Sequence, residues 1–261
     1  MRWVAIGGFD GVHLGHQRLI GRANLVLIIE KGGGLTPSRE RCRYIPVPCY
    51  FLELEGIKGW SVREFLEFLK GEFGGIGVVV GEDFRFGANR EGDWRILGEW
   101  FPLEVIPEVK VGGVPVHSRV IRRLLREGRI EEGNRLLGRG YQIWGVVEEG
   151  QGIGGKVLGV PTLNLRLKLP FLLPKEGVYF GRVAGFPAIA FLGTRSTDFQ
   201  FTIEVHLLHW RGEFPIAGER VEFQFLHYHR SPIQFGELEG LKKQIWTDLT
   251  TARHYFSGEL E

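Results

Sequence analysis

A glycine-rich turn after the first apolar run places the strongest constraint on the fold of this chain. Residues 3–6 are apolar, and the sequence then reads GGFDGVHLGH from residue 7 to residue 16. Glycines let the backbone turn sharply and approach a ligand closely, and a helix that starts here presents unpaired N–H groups to an anion. His13 and His16 are three residues apart, so their rings can face one point. The segment predicts a strand, a turn and a helix that bind a polyphosphate on which charge develops.

Two other interpretations of these histidines stay open. In an ordinary glycine-rich turn between a strand and a helix, one histidine would cap the helix and the other would be solvated. Zinc binding is less favoured, because no cysteine or carboxylate lies nearby at ligand spacing.

The first half of the chain alternates apolar runs with amphipathic stretches. Residues 25–29, 76–80 and 103–106 have the composition of buried strands. Ser61 precedes an apolar face with helical spacing and has Glu64 three residues later, which is the pattern of a capping box. The alternation predicts a doubly wound α/β domain with a parallel sheet and a site at the carboxyl ends of its strands.

The segment VHSRVIRRLLREG, residues 116–128, predicts a helix that Ser118 caps and Gly128 ends. A serine at a helix start beside arginines forms a second site for an anion. The arginines at positions 123, 126 and 129 are more simply explained as a solvated basic face.

From Tyr141 onwards the pattern changes to short strands separated by glycine and proline. Residues 201–208, FTIEVHLL, alternate between two faces, and residues 220–226 alternate too. Strands at this spacing without intervening helices predict a small antiparallel β-barrel. An apolar stripe then predicts a terminal helix. The members of the stripe are Leu238, Leu241, Ile245, Leu249, Ala252 and Phe256. The change of pattern predicts two domains, at residues 1–138 and 139–261.

Charge and apolar content argue against several classes of partner. Lys and Arg total 33 against 31 Asp and Glu, and this formal net charge of +2 is no signature of nucleic-acid or membrane-surface binding. No apolar run approaches the roughly 18 residues that span a bilayer, and no secretory signal precedes the first strand, so we expect a cytoplasmic protein. Cys42 and Cys49 lack a CxxC pattern and are expected to be reduced thiols.

Several motifs resemble those of one enzyme family. GGFDGVHLGH, residues 7–16, resembles the HxGH signature of nucleotidyltransferases and the opening of bacterial bifunctional riboflavin kinase/FAD synthetases. GGKVLGVPTLNL, residues 154–165, resembles the GRxLGxPTAN segment of riboflavin kinases, and EVHLL, residues 204–208, matches another family segment. The resemblance implies a Rossmann-like nucleotidyltransferase domain followed by a riboflavin kinase-like β-barrel with a terminal helix.

The resemblance also implies two activities. The barrel would phosphorylate riboflavin with ATP to FMN, and the first domain would join FMN to the AMP moiety of a second ATP, giving FAD and pyrophosphate. In that domain His13 and His16 would be catalytic and steady the α-phosphate. The other implied residues are Gly8, Phe9, Asp10, Gly15, Ser118 and Arg122 for the nucleotide and its phosphates, and Asp83 for the nucleotide or the flavin.

In the barrel the resemblance implies that Glu204 is the base that accepts the proton of the riboflavin 5′-hydroxyl. Thr162 and Asn164 are oxygen donors two residues apart, so on a strand they face the same side, as ligands of a Mg²⁺ that bridges nucleotide phosphates require. The remaining implied residues are Gly155, Lys156, Gly159 and Thr162 for the phosphates and Arg230 for the flavin.

The chain departs from the family pattern at several places. Residues 24–61 are shorter than usual and lack a recognisable phenylalanine- and proline-rich loop, Arg119 stands where threonine is expected, and Lys156 replaces an arginine. Two alternatives therefore stay open: riboflavin kinase activity alone with a degenerate adenylyltransferase domain, or a non-catalytic flavin-binding regulator. The intact oxygen donors and glutamate of the barrel argue against the regulator.

Overall fold

The computed structural model describes residues 2–148, 161–194, 200–208 and 215–259. Gly155, Lys156 and Gly159, which the sequence predicts to bind phosphate, lie outside these ranges. The chain divides into two compact units, one formed by residues 1–121 and 136–138 and the other by residues 122–135 and 139–261. Each unit has its own sheet and its own buried core.

A five-stranded parallel sheet forms the centre of the first unit. Its strands are β1 (Arg2–Gly7), β2 (Leu25–Glu30), β3 (Cys49–Glu53), β4 (Ile76–Gly81) and β5 (Leu103–Ile106). Their order across the sheet is β3-β2-β1-β4-β5, so successive strands are added first on one side of β1 and then on the other. The sheet confirms the predicted doubly wound architecture, in which ligands bind beyond the carboxyl ends of the strands where the order reverses.

Both faces of this sheet are buried, as the continuous apolar strands predict. Val4 and Ile6 of β1 belong to one apolar core, whereas Ala5 between them belongs to another on the opposite face. The first core also buries Phe65, and the second buries Leu19. The helices are α1 (Leu14–Ile20), α2 (Leu54–Ile57), α3 (Val62–Phe73) and α4 (Trp94–Trp100), with 3-10 helices at Ser38–Tyr44 and Ala88–Arg90. Two short strand pairs join Arg85–Phe86 to Gly92–Asp93 and Lys110–Val111 to Val114–Pro115.

The start of α3 confirms the predicted capping box. The Oγ of Ser61 accepts a hydrogen bond from the Glu64 backbone N–H at 3.2 Å, and the Glu64 carboxylate accepts one from the Ser61 backbone N–H at 2.7 Å. Two of the N–H groups that a helix start leaves unpaired are thereby satisfied. The hydrogen bonds from Ser61 also lower the pKa of the Glu64 carboxyl.

Two further helices follow, α5 (Ser118–Glu127) and α6 (Ile130–Leu137). The prediction that Ser118 is the cap of α5 is wrong by one residue, because the carbonyl of His117 accepts the first helical hydrogen bond and Ser118 is already helical. The predicted stop is confirmed. Gly128 has a φ of +82°, and its N–H and that of the next residue bond back to carbonyls of the last turn at 3.1 and 2.9 Å.

A closed antiparallel barrel forms the centre of the second unit and confirms the predicted architecture. Its strands are β6 (Tyr141–Glu148), β7 (Leu163–Leu167), β8 (Gly177–Val183), β9 (Phe186–Thr194), β10 (Phe201–Leu207) and β11 (Arg220–Arg230). They follow one another around the barrel in the order β6-β7-β10-β9-β8-β11. Along β10, Ile203, Val205 and Leu207 are buried in the interior, while Glu204 and His206 face outwards.

The terminal helix α7 (Leu238–Phe256) packs on the outside of the barrel. Leu249, Ala252 and Phe256 are buried against an apolar cluster that includes Phe180. The predicted stripe is wrong at its first member, since Leu238 is 45% exposed. Within the described ranges, no helix is both long and apolar enough to cross a membrane.

Replacing Ser61 by alanine tests the capping box. We expect a loss of about 1 kcal/mol in the free energy of unfolding of the first unit, because the Glu64 backbone N–H loses the hydroxyl oxygen that accepts its hydrogen bond. Urea denaturation followed by circular dichroism measures this loss. Ser61→Thr is the matched control, because threonine keeps the capping oxygen, and an equal loss in both variants would contradict the assignment.

Candidate functional site

The loop after β1 has a strained backbone. Phe9 and Val12 have φ values of +47° and +42°, and Gly11 between them has a φ of +85°. The left-handed region is unfavourable for side chains branched at Cβ, so Val12 in particular must be held there by its surroundings. Both Phe9 and Val12 are fully buried. Packing therefore fixes the predicted nucleotide loop in one conformation.

His13 and His16 come together as the sequence predicts. Their rings stack with centroids 3.5 Å apart and planes 15° apart. His13 also caps α1, because its Nδ1 accepts a hydrogen bond from the His16 backbone N–H at 3.3 Å. Gly15 permits this approach, since a Cβ at that position would lie 3.2 Å from the His13 ring and 3.3 Å from the Val116 carbonyl oxygen. One imidazole therefore shapes the helix start while the other is stacked on it.

His16 is held in its neutral form. Burial, followed by the charges of His13, Arg41 and His117, lowers the pKa of His16 well below its ordinary value. Its Nδ1 is buried and has no hydrogen-bond partner in the described part of the chain. A buried polar atom without a partner is costly, and such atoms are retained where a site performs a task.

Asp10 ties the nucleotide loop to two other segments. Its carboxylate accepts a hydrogen bond from the Thr36 backbone N–H at 3.1 Å, and the Thr36 hydroxyl accepts one from the Gly11 N–H at 2.8 Å. The hydroxyl of Ser118 donates to the Asp10 carbonyl at 2.7 Å. Gly34, with a φ of +126°, leaves room for the carboxylate, since a Cβ there would lie 2.6 Å from it. In this structure Asp10 and Ser118 hold the loop in shape.

A buried ion pair lies beside this loop, and the sequence did not reveal it. Arg41 and Glu30 have 2% and 7% of their side chains exposed, and both guanidinium Nη atoms bond to the carboxylate. The same carboxylate accepts the backbone N–H groups of Lys31 and Gly32 at 3.0 and 2.8 Å. The Nε of Arg41 is buried without a partner among the described residues. The short segment after β2 therefore carries a buried cation, Arg41. Its positive charge is close enough to His16 to lower the pKa of that imidazole.

The other predicted residues of the first site lie in different settings. Gly8 sits between the end of β1 and the strained residues, with the Ile29 carbonyl oxygen 3.8 Å from the position of a Cβ. Asp83 is exposed on the loop that follows β4. Arg122 lies one helical turn beyond Ser118 in α5 and belongs to the second unit. Phe86 lies in the first apolar core, and Phe84 packs against it.

The second candidate site lies on the outer face of the barrel. Asn164 of β7 and Glu204 of β10 are register partners on adjacent strands, so their side chains share one face. The hydroxyl of Thr202, which is 9% exposed, lies 3.5 Å from the Asn164 amide oxygen. The structure therefore brings together Asn164 and Glu204, and adds Thr202 to them.

Thr162 precedes β7 and is held near this face by a histidine. His206, two residues after Glu204, hydrogen-bonds through Nδ1 to the Pro161 carbonyl at 2.7 Å. Burial lowers the pKa of His206, so its neutral ring donates this hydrogen bond. The residue thus anchors the segment that carries Thr162, which is half-buried.

These oxygen atoms suit a hard cation bound together with phosphates. Within the described ranges, no group of three His, Cys, Asp or Glu side chains could hold a metal ion. The hydroxyl of Thr202 and the amide oxygen of Asn164 lie close together instead, on the face that also carries Glu204. Mg²⁺ is usually held by one or two protein oxygens, with water and substrate phosphates completing its coordination. The donor set fits Mg²⁺ and does not fit zinc.

Arg230 is engaged with a buried carboxylate. Its Nε and Nη2 donate to Asp248 of α7 at 2.9 and 2.6 Å, and Asp248 is 3% exposed. The carboxylate also accepts from Gln244 at 2.9 Å and lies 3.2 Å from the Nε2 of His229. Asp248 lies next to Leu249 of the apolar stripe of the terminal helix, and a carboxylate buried there needs such partners.

The comparisons with known proteins cover nearly the whole chain. A family model described as riboflavin kinase, or flavokinase, matches residues 137–256. A protein of Pseudomonas fluorescens named bifunctional riboflavin kinase/FMN adenylyltransferase is 31% identical over 96% of this chain and 91% of its own length. The protein of that name from Escherichia coli K12 is 30% identical over 97% and 92%. This chain belongs to the bifunctional riboflavin kinase/FMN adenylyltransferase family.

One solved structure resembles this member of the riboflavin kinase/FMN adenylyltransferase family in fold. It is described as a macrolide-efflux protein from Streptococcus pneumoniae, with a TM-score of 0.84 and 24% sequence identity over 97% of this chain and 93% of that one. At this identity the likeness shows a shared fold alone.

The ion pair beside the first site makes a prediction about stability. Glu30→Gln leaves Arg41 buried without a counter-charge, so we expect the free energy of unfolding to fall by about 3 kcal/mol. The double variant Glu30→Gln with Arg41→Met removes the stranded charge and should regain much of that loss. Urea denaturation of the unmodified protein, Glu30→Gln, the single variant Arg41→Met and the double variant measures this coupling, and additive losses would contradict it.

The low pKa of His16 makes a prediction about pH. A histidine whose native pKa lies below the unfolded value of about 6.5 binds fewer protons when folded, so this group lowers the free energy of unfolding as pH falls below that value and has no effect above it. We expect the imidazole resonance of His16 to stay in its neutral position from pH 7.5 to 6. NMR titration with His16→Gln as the assignment control measures this, and a midpoint near 6.5 would contradict it.

Proposed function

We propose that this protein phosphorylates riboflavin with ATP to FMN and transfers the AMP moiety of a second ATP to FMN, giving FAD and pyrophosphate. The observation that carries the proposal is that both candidate sites keep their reactive residues in a chain that matches bifunctional relatives over 96–97% of its length. We assign FMN adenylylation to residues 1–138 and riboflavin phosphorylation to residues 139–261. The flavokinase match over residues 137–256 supports the second assignment.

In riboflavin phosphorylation, the 5′-hydroxyl oxygen attacks the γ-phosphorus of ATP, the bond to the β-phosphate oxygen breaks and ADP leaves. Glu204 accepts the hydroxyl proton, which it takes late because phosphoryl transfer has a loose transition state. Asn164 and Thr162 would hold Mg²⁺, which neutralises charge on the phosphates when bound. The register pairing of Asn164 with Glu204 supports this division of roles, because it fixes the proposed base beside a metal ligand.

In adenylylation, a phosphate oxygen of FMN attacks the α-phosphorus of ATP in line, and pyrophosphate leaves with the electrons of the broken bond. His13 and His16 would stabilise the charge on the α-phosphate oxygens. A neutral His16 can donate one N–H hydrogen bond to these oxygens. Because it carries no full charge, it can stay buried before ATP binds. Gly8, Phe9, Asp10 and Gly15 shape the loop, and Ser118 and Arg122 contribute to phosphate binding, with Asp83 and Arg230 assigned to the flavins.

A second candidate function is riboflavin kinase activity alone. The observation that favours it is the short segment between residues 24 and 61, which lacks the family's flavin-side loop. Here that segment folds instead around the buried Arg41–Glu30 pair. The two functions share the barrel chemistry and differ only in whether FMN is converted further. We propose that either activity takes place in the cytoplasm on these small-molecule substrates.

Incubation with riboflavin, ATP and Mg²⁺, with the flavins resolved by chromatography, tests the proposal. We expect FMN to appear first and FAD with pyrophosphate to follow. His16→Ala should reduce FAD formation at least about a hundredfold and leave FMN formation near normal, because a group that stabilises transition-state charge is worth about that factor. Glu204→Gln should strongly reduce FMN formation from riboflavin and leave FAD formation from supplied FMN near normal.

The outcomes separate the candidates. If the unmodified protein makes FMN but no FAD, riboflavin kinase activity is the one function that remains. No ADP release, combined with tight flavin binding, would favour a non-catalytic flavin-binding protein. Equal loss of both activities in His16→Ala would contradict the assignment of two separate sites.

A further inference from the structure

The outer face of β10 carries a histidine that the proposed phosphoryl transfer does not use. His206 follows Glu204 by two residues and therefore lies on the same face of the strand. Asn164 of β7 opposes Glu204 in the antiparallel pairing of the two strands. Because the strands run in opposite directions, the same register places Thr162, two residues before Asn164, opposite His206.

A hydrogen bond joins this histidine to the chain immediately before Thr162. Strand β7 begins at Leu163, and Pro161 has no N–H that could extend the backbone ladder. The Nδ1 of His206 lies 2.7 Å from the Pro161 carbonyl oxygen instead. That carbonyl belongs to the planar peptide group between Pro161 and Thr162. Its hydrogen bond therefore fixes the orientation of the backbone from which the Thr162 side chain projects.

The imidazole of His206 is the donor in this hydrogen bond. A carbonyl oxygen only accepts, so Nδ1 must carry a proton. Burial lowers the pKa of His206, and the charge of Arg253 in α7 acts in the same direction, against the opposing effect of the Pro161 carbonyl. The neutral ring therefore keeps its one proton at Nδ1, where the carbonyl holds it.

We propose that His206 is a positioning residue of the riboflavin kinase site, which holds Thr162 in the orientation that binds Mg²⁺ together with the phosphates of the nucleotide. The inference rests on the proposed function, because that function assigns the metal to Thr162 and Asn164. Asn164 lies within β7 and is aligned by the strand ladder, whereas Thr162 precedes the strand and depends on a side-chain contact. Groups that orient a metal ligand commonly contribute about ten- to a hundredfold in metal affinity.

Titration calorimetry with ADP, in the presence and in the absence of Mg²⁺, tests the proposal without turnover. His206→Leu has no donor, so we expect ADP to bind about tenfold more weakly when Mg²⁺ is present and with unchanged affinity when it is absent. His206→Asn should keep the affinity of the unmodified protein, because its amide nitrogen occupies the position of Nδ1. The amide nitrogen of His206→Gln replaces Nε2 instead, so this variant should behave as His206→Leu does.

Two controls separate positioning from a general loss of structure. In Thr162→Val the proposed metal ligand is absent, so adding His206→Leu should cause no further loss of affinity. His227→Leu is the matched control, because the Nδ1 of His227 lies 2.5 Å from the Glu131 carboxylate. Its strand, β11, is separated from β10 by two strands in either direction round the barrel. ADP bound by the first unit is common to all variants and does not affect their comparison.

Steady-state kinetics supplies the second readout, and circular dichroism checks that each variant is folded. His206→Leu should raise the KM for ATP with Mg²⁺ in FMN formation and leave FAD formation from supplied FMN unchanged. Unchanged ADP affinity in His206→Leu with Mg²⁺, an equal loss without Mg²⁺, or an equal loss in His227→Leu would overturn the proposal. If His206→Leu does not fold, the comparison of His206→Asn with His206→Gln decides, and equal affinities would overturn it. If the unmodified protein makes no FMN, the proposed kinase function fails, and the ADP titrations still decide the role of His206.

Discussion

The first unit depends on the hydrogen bonds of Asp10. Its carboxylate and carbonyl connect the strained loop to Thr36 on one side and to Ser118 on the other. These links act together with the burial of Phe9 and Val12 to hold both residues in the left-handed region, a conformation that costs each of them of order 1–3 kcal/mol. The orientation of His13 and His16 follows from that loop conformation. The hydrogen bonds of Asp10 thus hold the strained loop in the conformation that positions both imidazoles.

Protein contacts hold the imidazole and guanidinium groups of this region at defined positions. Arg41 is buried, yet two of its nitrogens meet Glu30, so most of its desolvation is offset. Its remaining charge is felt by His16 together with the charges of two other histidines. The Glu30 carboxylate also accepts hydrogen bonds from two backbone N–H groups of the segment that follows β2. A short segment can therefore border the site where the family has a longer one.

The sequence predicted four strands of the parallel sheet, the barrel and the paired histidines, because each has a local signature. Apolar runs of four to six residues define the parallel strands, and alternation in β10 defines a barrel wall. The ion pair of Arg41 with Glu30 has no such signature, because its members are 11 residues apart and join only after the segment between them folds. The predicted cap at Ser118 was wrong since its hydroxyl bonds to Asp10 across 108 residues. A local sequence pattern cannot predict hydrogen bonds between residues so far apart in the chain.

Both candidate sites are suited to negatively charged phosphate groups, but they present different side chains on different structures. In the barrel, strand register alone aligns Asn164 with Glu204, so oxygen donors are presented by regular β-structure and suit a cation bound with phosphates. In the α/β unit an irregular loop presents imidazole rings, whose nitrogen atoms would donate to anionic oxygen. Riboflavin phosphorylation needs a proton acceptor, which a carboxylate supplies. Adenylylation starts from an FMN phosphate that is already ionised, so it needs no base and relies on donors to the developing charge. The difference in side-chain chemistry between the units follows from that difference in nucleophile.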